Sequence, residues 1–458
     1  MNRIYFSMDD KALYLEHGVH ADLSQLKTKF SDKSIAKTCQ LVTSRAIALC
    51  SVLTLKCKPD IPPRVLDAVG HFGLAGMQWA QHLPSDYNIT INTAPGVMDH
   101  LDRVFVKRDE NCQVNVTCQD PHVLLHSGRY SFVYIEADGS AIPYLDAALR
   151  SVAHNGMLCV TFTDMPALMN RCPERVARLY GAKMLKSEYI KEMSTRVIIS
   201  NLVRAAACWN KGISIKLCVF TDIGVTVVCK VRKSPKSGES CSSLVRFLAH
   251  CQKCQYRQFL ADGKCLKKFT VPIVCCCGKE KDASVSSMML LGPMWSGNLF
   301  CPDFVKIVLT LTSHLKTSGN INKVLQTILI ESKCYDNSNE ENILLKEIEA
   351  ICKNNTVNNN VQHKHDDYEP SSKKVKLTYE SFPDVINSVE LPDAAPFFMD
   401  FQVHSVSGSN PPKLLKLIDI LRSKGFKASK THFGPRCLRT NASLHEFKLM
   451  LKDIHGKH

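Results

Sequence analysis

Long apolar runs are missing from this sequence. The longest, such as Ala46 to Leu55, contain Ser and Thr and end at Lys56, far short of the ~20 residues a membrane-spanning helix needs. Also missing is the shape of a secretory signal, because Met1-Asn2-Arg3-Ile4-Tyr5-Phe6 is followed at once by Asp9 and Asp10. The 21 cysteines are scattered, many singly, through core-like segments, which fits a reducing compartment better than a disulfide framework. A soluble intracellular protein is therefore expected. Acidic charge is in short supply: 43 Asp and Glu face 58 Lys and Arg, a net charge of +15. That favours a polyanionic partner, nucleic acid first, against the alternative that the excess only aids solubility.

At 458 residues the chain exceeds what one core organises, so two or three domains are expected. An N-terminal segment over 1–60 carries a strand and turn near Tyr14 to Val19 and a helix from about Lys37 to Leu55, stopped by Pro62-Pro63. Residues 61–233 alternate strand and helix. Strand patterns fall at Val65 to Val69, Tyr87 to Asn92, Gln113 to Cys118, Tyr130 to Ile135 and Met157 to Asp164. A helix over Glu188 to Lys211 follows, with Gly212 as its expected C-cap. The hairpin Ile213 to Phe220 with Gly224 to Val231 closes the unit. The pattern predicts a mostly parallel, doubly covered α/β sheet with an antiparallel hairpin at one edge. Beyond it lie a cysteine-bearing segment (234–300) and a helical connection (301–352). An Asn-rich linker with few large apolar side chains (353–380), expected to be disordered, leads to a basic α/β module (381–458).

The stretch that organises the rest runs from Val65 to Trp79: an apolar strand, then Gly70, Gly73 and Gly76, then a helical pattern. Nucleotide-type cofactors are seated on such turns. On this view Gly70 permits the tight turn, Gly73 lets backbone approach the ligand and Gly76 lets the helix pack on the strand. Asp67, at the strand end, suits a hydrogen-bonding role. Such spacing alone fits an ordinary strand-to-helix turn equally well. Asp120 ends the third strand, where an adenine amino group would lie, although Asp120-Pro121 also opens turns. Glu136 ends the fourth strand at the expected switch point, where the chemistry of these sheets is usually done.

Cys251-x-x-Cys254 and Cys275-x-Cys277, separated by a hairpin-sized loop, have the donor type and spacing of a tetrahedral zinc site. Which two of Cys275, Cys276 and Cys277 ligate stays open. Basic residues cluster late: Lys264, Lys267 and Lys268, then Lys413, Lys416, Arg422, Lys424, Lys427, Lys430, Arg436 and Arg439. The clustering predicts a phosphate-tracking surface, with Lys427, Lys430 and Arg439 as candidate RNA contacts. His432-Phe433 lies among them, placed either to stack on a base or to fill the core. Pro370 to Leu377, with Lys373, Lys374 and Lys376, has the character of a nuclear-import patch.

Asp67-Ala68-x-Gly70-x-x-Gly73-x-x-Gly76-x-Gln78-Trp79-Ala80, Tyr144-Leu145-Asp146, Val160-Thr161-x-Thr163-Asp164, Tyr180-Gly181, Glu188-Tyr189-x-Lys191-Glu192 and Asn210 to Ile213 resemble the tRNA guanine-N2 dimethyltransferase family, its animal "like" branch in particular. Leu291 to Trp295 and Ser429 to Phe433 with Pro435, Arg439 and Thr440 extend the likeness over nearly the whole chain. The resemblance implies a class I methyltransferase fold, S-adenosylmethionine and zinc as cofactors, and tRNA as substrate. It implies methylation of the exocyclic amine of a guanosine near the hinge of the D and anticodon arms; the chain is expected to be a monomer free of membranes, in the nucleus or nucleolus by its import patch, with the cytoplasm as the alternative. By position, Arg45 looks like the family's arginine ahead of the turn. Asp67, Gly70 and Gly73 match its first cofactor motif, Asp120 its adenine-side acid, and Glu136 and Ala137 its catalytic strand end, Glu136 being the candidate catalytic group. Three departures stand out: Asn92-Thr93 where the family has Asn-Asp, Glu136-Ala137-Asp138-Gly139 where it has Asp-Pro-aromatic-Gly, and Ala46 where an aspartate follows the arginine. They raise the alternative of a tRNA-binding relative with weakened or lost catalysis.

Overall fold

The apolar runs Val65–Val69, Phe132–Ile135 and Leu158–Phe162 offer no polar face to water, and in the computed structural model they are buried at the middle of a seven-stranded sheet. The structure describes residues 3–6, 12–16, 19–22, 32–55, 61–70, 72–94, 97, 113–253, 255–260, 288–315, 319–332, 334, 398–400, 413–442 and 444–455. These belong to one compact unit drawn from residues 1–334 and 392–458. The expected linker over 353–380, the basic patch at Pro370 to Leu377, Lys264, Lys267, Lys268, Cys254, Cys275, Cys276 and Cys277 lie outside the described residues.

Three N-terminal strands, β1 (Arg3–Phe6), β2 (Ala12–Glu16) and β3 (Val19–Asp22), form an antiparallel meander. The helix expected from Lys37 to Leu55 is two helices, α1 (Asp32–Gln40) and α2 (Val42–Leu53), with a turn at Leu41 between them. Nearly every residue of α2 is buried, Arg45 among them. The main sheet comprises β4 (Arg64–Val69), β5 (Asn88–Asn92), β6 (Val114–Thr117), β7 (Tyr130–Glu136), β8 (Val152–Phe162), β9 (Lys211–Phe220) and β10 (Val225–Lys233). Their spatial order is β6-β5-β4-β7-β8-β10-β9. The five strands from β6 to β8 are parallel, and β10 runs antiparallel between β8 and β9. The closing hairpin thus sits at one edge, but its second strand is the one that joins the parallel set. The order reverses between β4 and β7, which makes the crevice beyond their carboxyl ends the place for a ligand.

The crossover helices α3 (Leu74–His82), α4 (Pro121–Ser127) and α5 (Leu145–Ser151) link these strands. Trp79 of α3 sets its ring edge-on against Phe132 at 5.5 Å and Tyr134 at 6.2 Å, pinning the helix to the sheet. The long helix α6 spans Ile190–Cys208. Gly212 is not its C-cap: it lies inside β9, and Asn210 takes the left-handed position at φ 54° instead. An asparagine tolerates that conformation because its short polar side chain bonds locally. Glycine is required at 212 for another reason, since a β-carbon there would fall 2.6 Å from the Ser237 carbonyl. After a short helix α7 (Pro235–Ser242), the cysteine-bearing segment contributes a second sheet, ordered β12-β11-β13, from β11 (Val245–Cys251), β12 (Arg257–Phe259) and β13 (Met288–Trp295). Arg196 of α6 fastens it by donating to the carbonyls of Trp295 at 3.0 Å and Gly297 at 2.8 Å.

Helices α8 (Pro302–His314) and α9 (Gly319–Ser332) follow. The C-terminal module is a sheet ordered β14-β16-β15, built from β14 (Phe398–Asp400), β15 (Ala428–Thr431) and β16 (Gly434–Thr440). The amphipathic helices α10 (Leu414–Ser423) and α11 (Leu444–His455) accompany it. Its small core gathers Leu417, Leu421, Leu438, Phe447, Met450 and Leu451. Among the described residues no helix is long and apolar enough to cross a membrane.

Candidate active site

The carboxyl end of β4 shows how tightly the glycine turn is drawn around one side chain. Asp67 is fully buried and accepts a hydrogen bond from the Gly76 amide at 3.1 Å. A β-carbon on Gly70 would fall 2.3 Å from Asp67 Oδ1, so glycine at 70 makes room for that carboxylate. Gly73 carries the left-handed turn, at φ 66°, and its amide bonds to the Gly70 carbonyl at 2.9 Å. The sharp turn expected at Gly70 thus falls at Gly73, and glycine at 70 serves the close approach to the Asp67 carboxylate. Gly76 packs on β5 as expected, a β-carbon there meeting Ile91 at 2.4 Å. Burial lifts the Asp67 carboxyl to about 7, the Gly76 amide opposing, and Oδ1 has no hydrogen-bond partner among the described residues.

Beside it lies a buried charge cluster that joins five elements. Arg45 of α2, 1% exposed, donates from Nε and Nη2 to both oxygens of Glu16 on β2, at 2.8 and 2.7 Å. Its Nη1 donates to Glu136 Oε1 at 3.0 Å and Oε2 at 3.2 Å, and its Nη2 also reaches the Thr38 carbonyl at 2.7 Å. Gln78 of α3 adds a bond to Glu16 at 2.7 Å. Tyr134, one pleat before Glu136 on β7, donates its hydroxyl to Glu136 Oε2 at 2.7 Å. Burial and the neighbouring Glu136 push the Tyr134 phenol well above its ordinary value, which keeps it a donor. Arg45 therefore orders carboxylates, and Glu136, 3% exposed, is turned into the protein with both oxygens engaged.

The loop that follows is fixed to β8. The Ala137 amide bonds to the Thr161 carbonyl at 3.2 Å, and Thr163 Oγ1 donates to the Ala137 carbonyl at 2.9 Å while accepting from the Gly139 amide at 2.8 Å. Between these anchors Asp138 projects outward and pairs with Lys37 of α1. On the other side of β4, Asn92 staples three strand ends: it donates to the carbonyls of Ala68 and Gln119, both at 3.0 Å, and accepts from the Gln119 amide at 2.9 Å. Thr93 is buried. Asp120 caps α4, Oδ1 accepting from the His122 amide at 2.7 Å and the Val123 amide at 3.4 Å, and remains exposed at the sheet's edge.

The structure thus gathers Arg45, Asp67, Gly70, Gly73, Glu136 and Ala137 at one end of the sheet, with Asp120 two strands away. Glu16, Gln78 and Tyr134 belong to the cluster and were not singled out by sequence. A lone acid ending the apolar strand Ala12 to Leu15 was the available signal for Glu16.

The basic module needs a correction. Arg439 is not a surface cation but 1% exposed, donating to Glu192 of α6 and Glu331 of α9, both at 2.7 Å. Glu192 also accepts from Arg196 at 2.8 Å, and Glu331 accepts from Thr431 at 2.7 Å and His432 Nδ1 at 2.9 Å. Arg439 is a clamp between the module and the helices under it. Phe433, 2% exposed, fills the core and does not offer a stacking face. Lys430 and Arg436 are exposed, whereas Lys427, expected as an RNA contact, is half-buried with its ammonium nitrogen out of solvent. Of the expected zinc ligands only Cys251 is described: buried at the end of β11, it opens a tight turn in which the Gln255 amide bonds to its carbonyl at 2.9 Å. Among the described residues no group of three or more His, Cys, Asp or Glu is gathered as metal ligands.

Known proteins share this architecture. Trm1 from Pyrococcus horikoshii, solved with S-adenosyl-L-methionine, superposes with a TM-score of 0.63 at 18% identity, covering 91% of this chain and 93% of that one. The tRNA (guanine(26)-N(2))-dimethyltransferase of Methanobrevibacter smithii is 24% identical over 428 residues, 93% of this chain and 92% of that protein. The tRNA (guanine(27)-N(2))-dimethyltransferase of Homo sapiens is 30% identical over 445 residues, 89% of this chain and 59% of that protein, and its Rattus norvegicus counterpart is 29% identical over 435 residues. The chain spans about three fifths of the length of these mammalian relatives. A family model matches residues 34–354 and 348–452, nearly all of the strand ends, clamps and turns described above, and the chain belongs to the N2,N2-dimethylguanosine tRNA methyltransferase family.

Proposed function

We propose that the chain binds S-adenosylmethionine and tRNA and methylates the exocyclic N2 of a guanosine near the hinge of the D and anticodon arms, with slow turnover. Family membership supports the substrate and the cofactor. The site suits a cationic ligand: one guanidinium, Arg45, stands among three carboxyl groups, Glu16, Glu136 and Asp67, and Asp67 Oδ1 is a buried acceptor without a partner among the described residues. S-adenosylmethionine, when bound, supplies an electrophilic methyl group. Asp67, Gly70, Gly73 and Ala137 would hold it at the β4 and β7 ends, and Asp120 would sit on the adenine side.

The slowness rests on one observation, the inward engagement of Glu136. The guanine amine is a poor nucleophile because its lone pair is delocalised into the ring, so a strand-end carboxylate has to accept its hydrogen bond as the methyl arrives. Glu136 can do so only by leaving Arg45 and Tyr134. Thr93 offers the ribose a weaker grip than an acid. The tRNA would be gripped through phosphates by Lys430 and its exposed neighbours. A zinc ion held by Cys251, Cys254 and two of Cys275, Cys276 and Cys277 would staple the 234–300 segment, and the Lys373 to Lys376 patch would direct the protein to the nucleus. Mass spectrometry of tRNA nucleosides from cells with and without the protein tests the reading: a low but protein-dependent level of N2-methylated guanosine is expected, and an unchanged level with no tRNA recovered on the purified protein contradicts it.

A further inference from the structure

We propose that Asp138 is the carboxylate that reads the guanine on binding in this chain, a specificity role that rests on the tRNA guanosine substrate proposed above and leaves acceptance of the amine proton during methyl transfer to Glu136. The two acids lie two residues apart on the same strand end but are placed oppositely. Glu136 is 3% exposed and faces Arg45 and Tyr134. The Asp138 side chain is 61% exposed at the mouth of the crevice between β4 and β7. Its backbone is not left to wander. The Ala137 and Gly139 anchors to Thr161 and Thr163 hold the loop on either side of it, so the carboxylate is delivered from a fixed point by one short side chain.

The chemistry of the bases then selects its partner. A carboxylate is acceptor-only and can take two parallel N–H bonds. Guanine alone presents two adjacent donors, N1–H and the N2 amine, on its Watson–Crick edge. Adenine and cytosine place a donor beside an acceptor, and uracil sets one donor between two acceptors, so each would face the carboxylate with a lone pair. Where the family carries an aromatic side chain that could stack on the base, this chain carries a group that can identify it. At rest Asp138 pairs with Lys37 on α1, itself 32% exposed. Ion pairs this open to solvent are weak, so the incoming base displaces Lys37, whose ammonium is then placed to follow a phosphate of the same strand.

The test uses the full-length protein with S-adenosylhomocysteine and two tRNA transcripts that differ only in carrying guanosine or inosine at the hinge position, inosine lacking the 2-amino group alone. The unaltered protein is expected to bind the guanosine transcript about tenfold more tightly, the scale of one lost charge-assisted bond at a base edge. Asp138→Ala should bring the two affinities together while the protein still binds tRNA, and Lys37→Ala should lower both affinities and leave their ratio intact. An unaltered protein that binds both transcripts equally, or an Asp138→Ala variant that keeps the ratio, overturns this inference alone. A protein that binds neither transcript overturns the substrate reading beneath it, and this inference with it.

Discussion

Replacing Arg439 by Met keeps most of the buried volume and removes the charge that ties the C-terminal module to the helices beneath it. Two carboxylates lose their shared partner. Glu331 keeps Thr431 and His432, and Glu192 keeps Arg196, so neither is stranded entirely. Breaking a buried pair by removing one member costs about 3–5 kcal/mol, and the surviving partners place this case near the lower end, about 3 kcal/mol. Urea denaturation of the full chain should show that loss. Reversal of the exposed Lys430 to Glu should shift stability by less than about 0.5 kcal/mol while lowering the log-log salt slope of tRNA binding by about one. If Arg439→Met costs under about 1 kcal/mol and instead flattens the salt slope, the arginine is a phosphate contact and the clamp is misread.

Acid should weaken the same clamp. Burial alone would raise the Glu331 carboxyl, but Arg439 and His432 outweigh it and hold it at about 2, below the unfolded value of 4.5, so its contribution is complete above about pH 4.5 and is lost as pH falls towards about 2; a denaturation series in which Glu331→Gln removes none of that decline would contradict this. Asp67 has the opposite sign: its carboxyl, lifted by burial from 3.8 to about 7, stabilises the fold fully below about pH 4 and stops doing so as pH rises through about 7. Asp67→Asn should therefore be more stable than the unaltered protein at pH 8 and lose that advantage near pH 4, as thermal unfolding at the two pH values would reveal. Cys251→Ser should destabilise the second sheet by several kcal/mol if metal binding supplies folding energy there, and full stability in a strong chelator, with no metal found by elemental analysis, would remove zinc from the account.

How legible this was depends on where the causes lie in the chain. Continuous apolar strands such as Tyr130 to Ile135 announce a doubly covered sheet because burial on both faces leaves no alternation to obscure them, and the glycine turn marks the site because its spacing is local. The break at Leu41 was hidden, since an apolar stripe runs through it without a proline or glycine. Gly212 resembled a helix cap because its real constraint, the Ser237 backbone, comes from a distant segment. The inward turn of Glu136 and the burial of Arg439 depend on partners 91 and 247 residues away, and nothing in the local pattern separates a surface arginine from a clamped one. The motif departures at Thr93 and 136–138 were visible in the sequence; that Arg45 and Tyr134 hold the altered acid was not.

The central claim, that the engaged Glu136 leaves this family member slow, is tested most directly by single-turnover methylation of one tRNA by the unaltered protein and by a relative with the complete Asp-Pro-aromatic-Gly motif under matched conditions. A carboxylate displaced by ~1 Å costs ~100-fold in rate. The account predicts a rate lower by about that factor, with tRNA and S-adenosylmethionine still bound, and equal rates for the two proteins would contradict it.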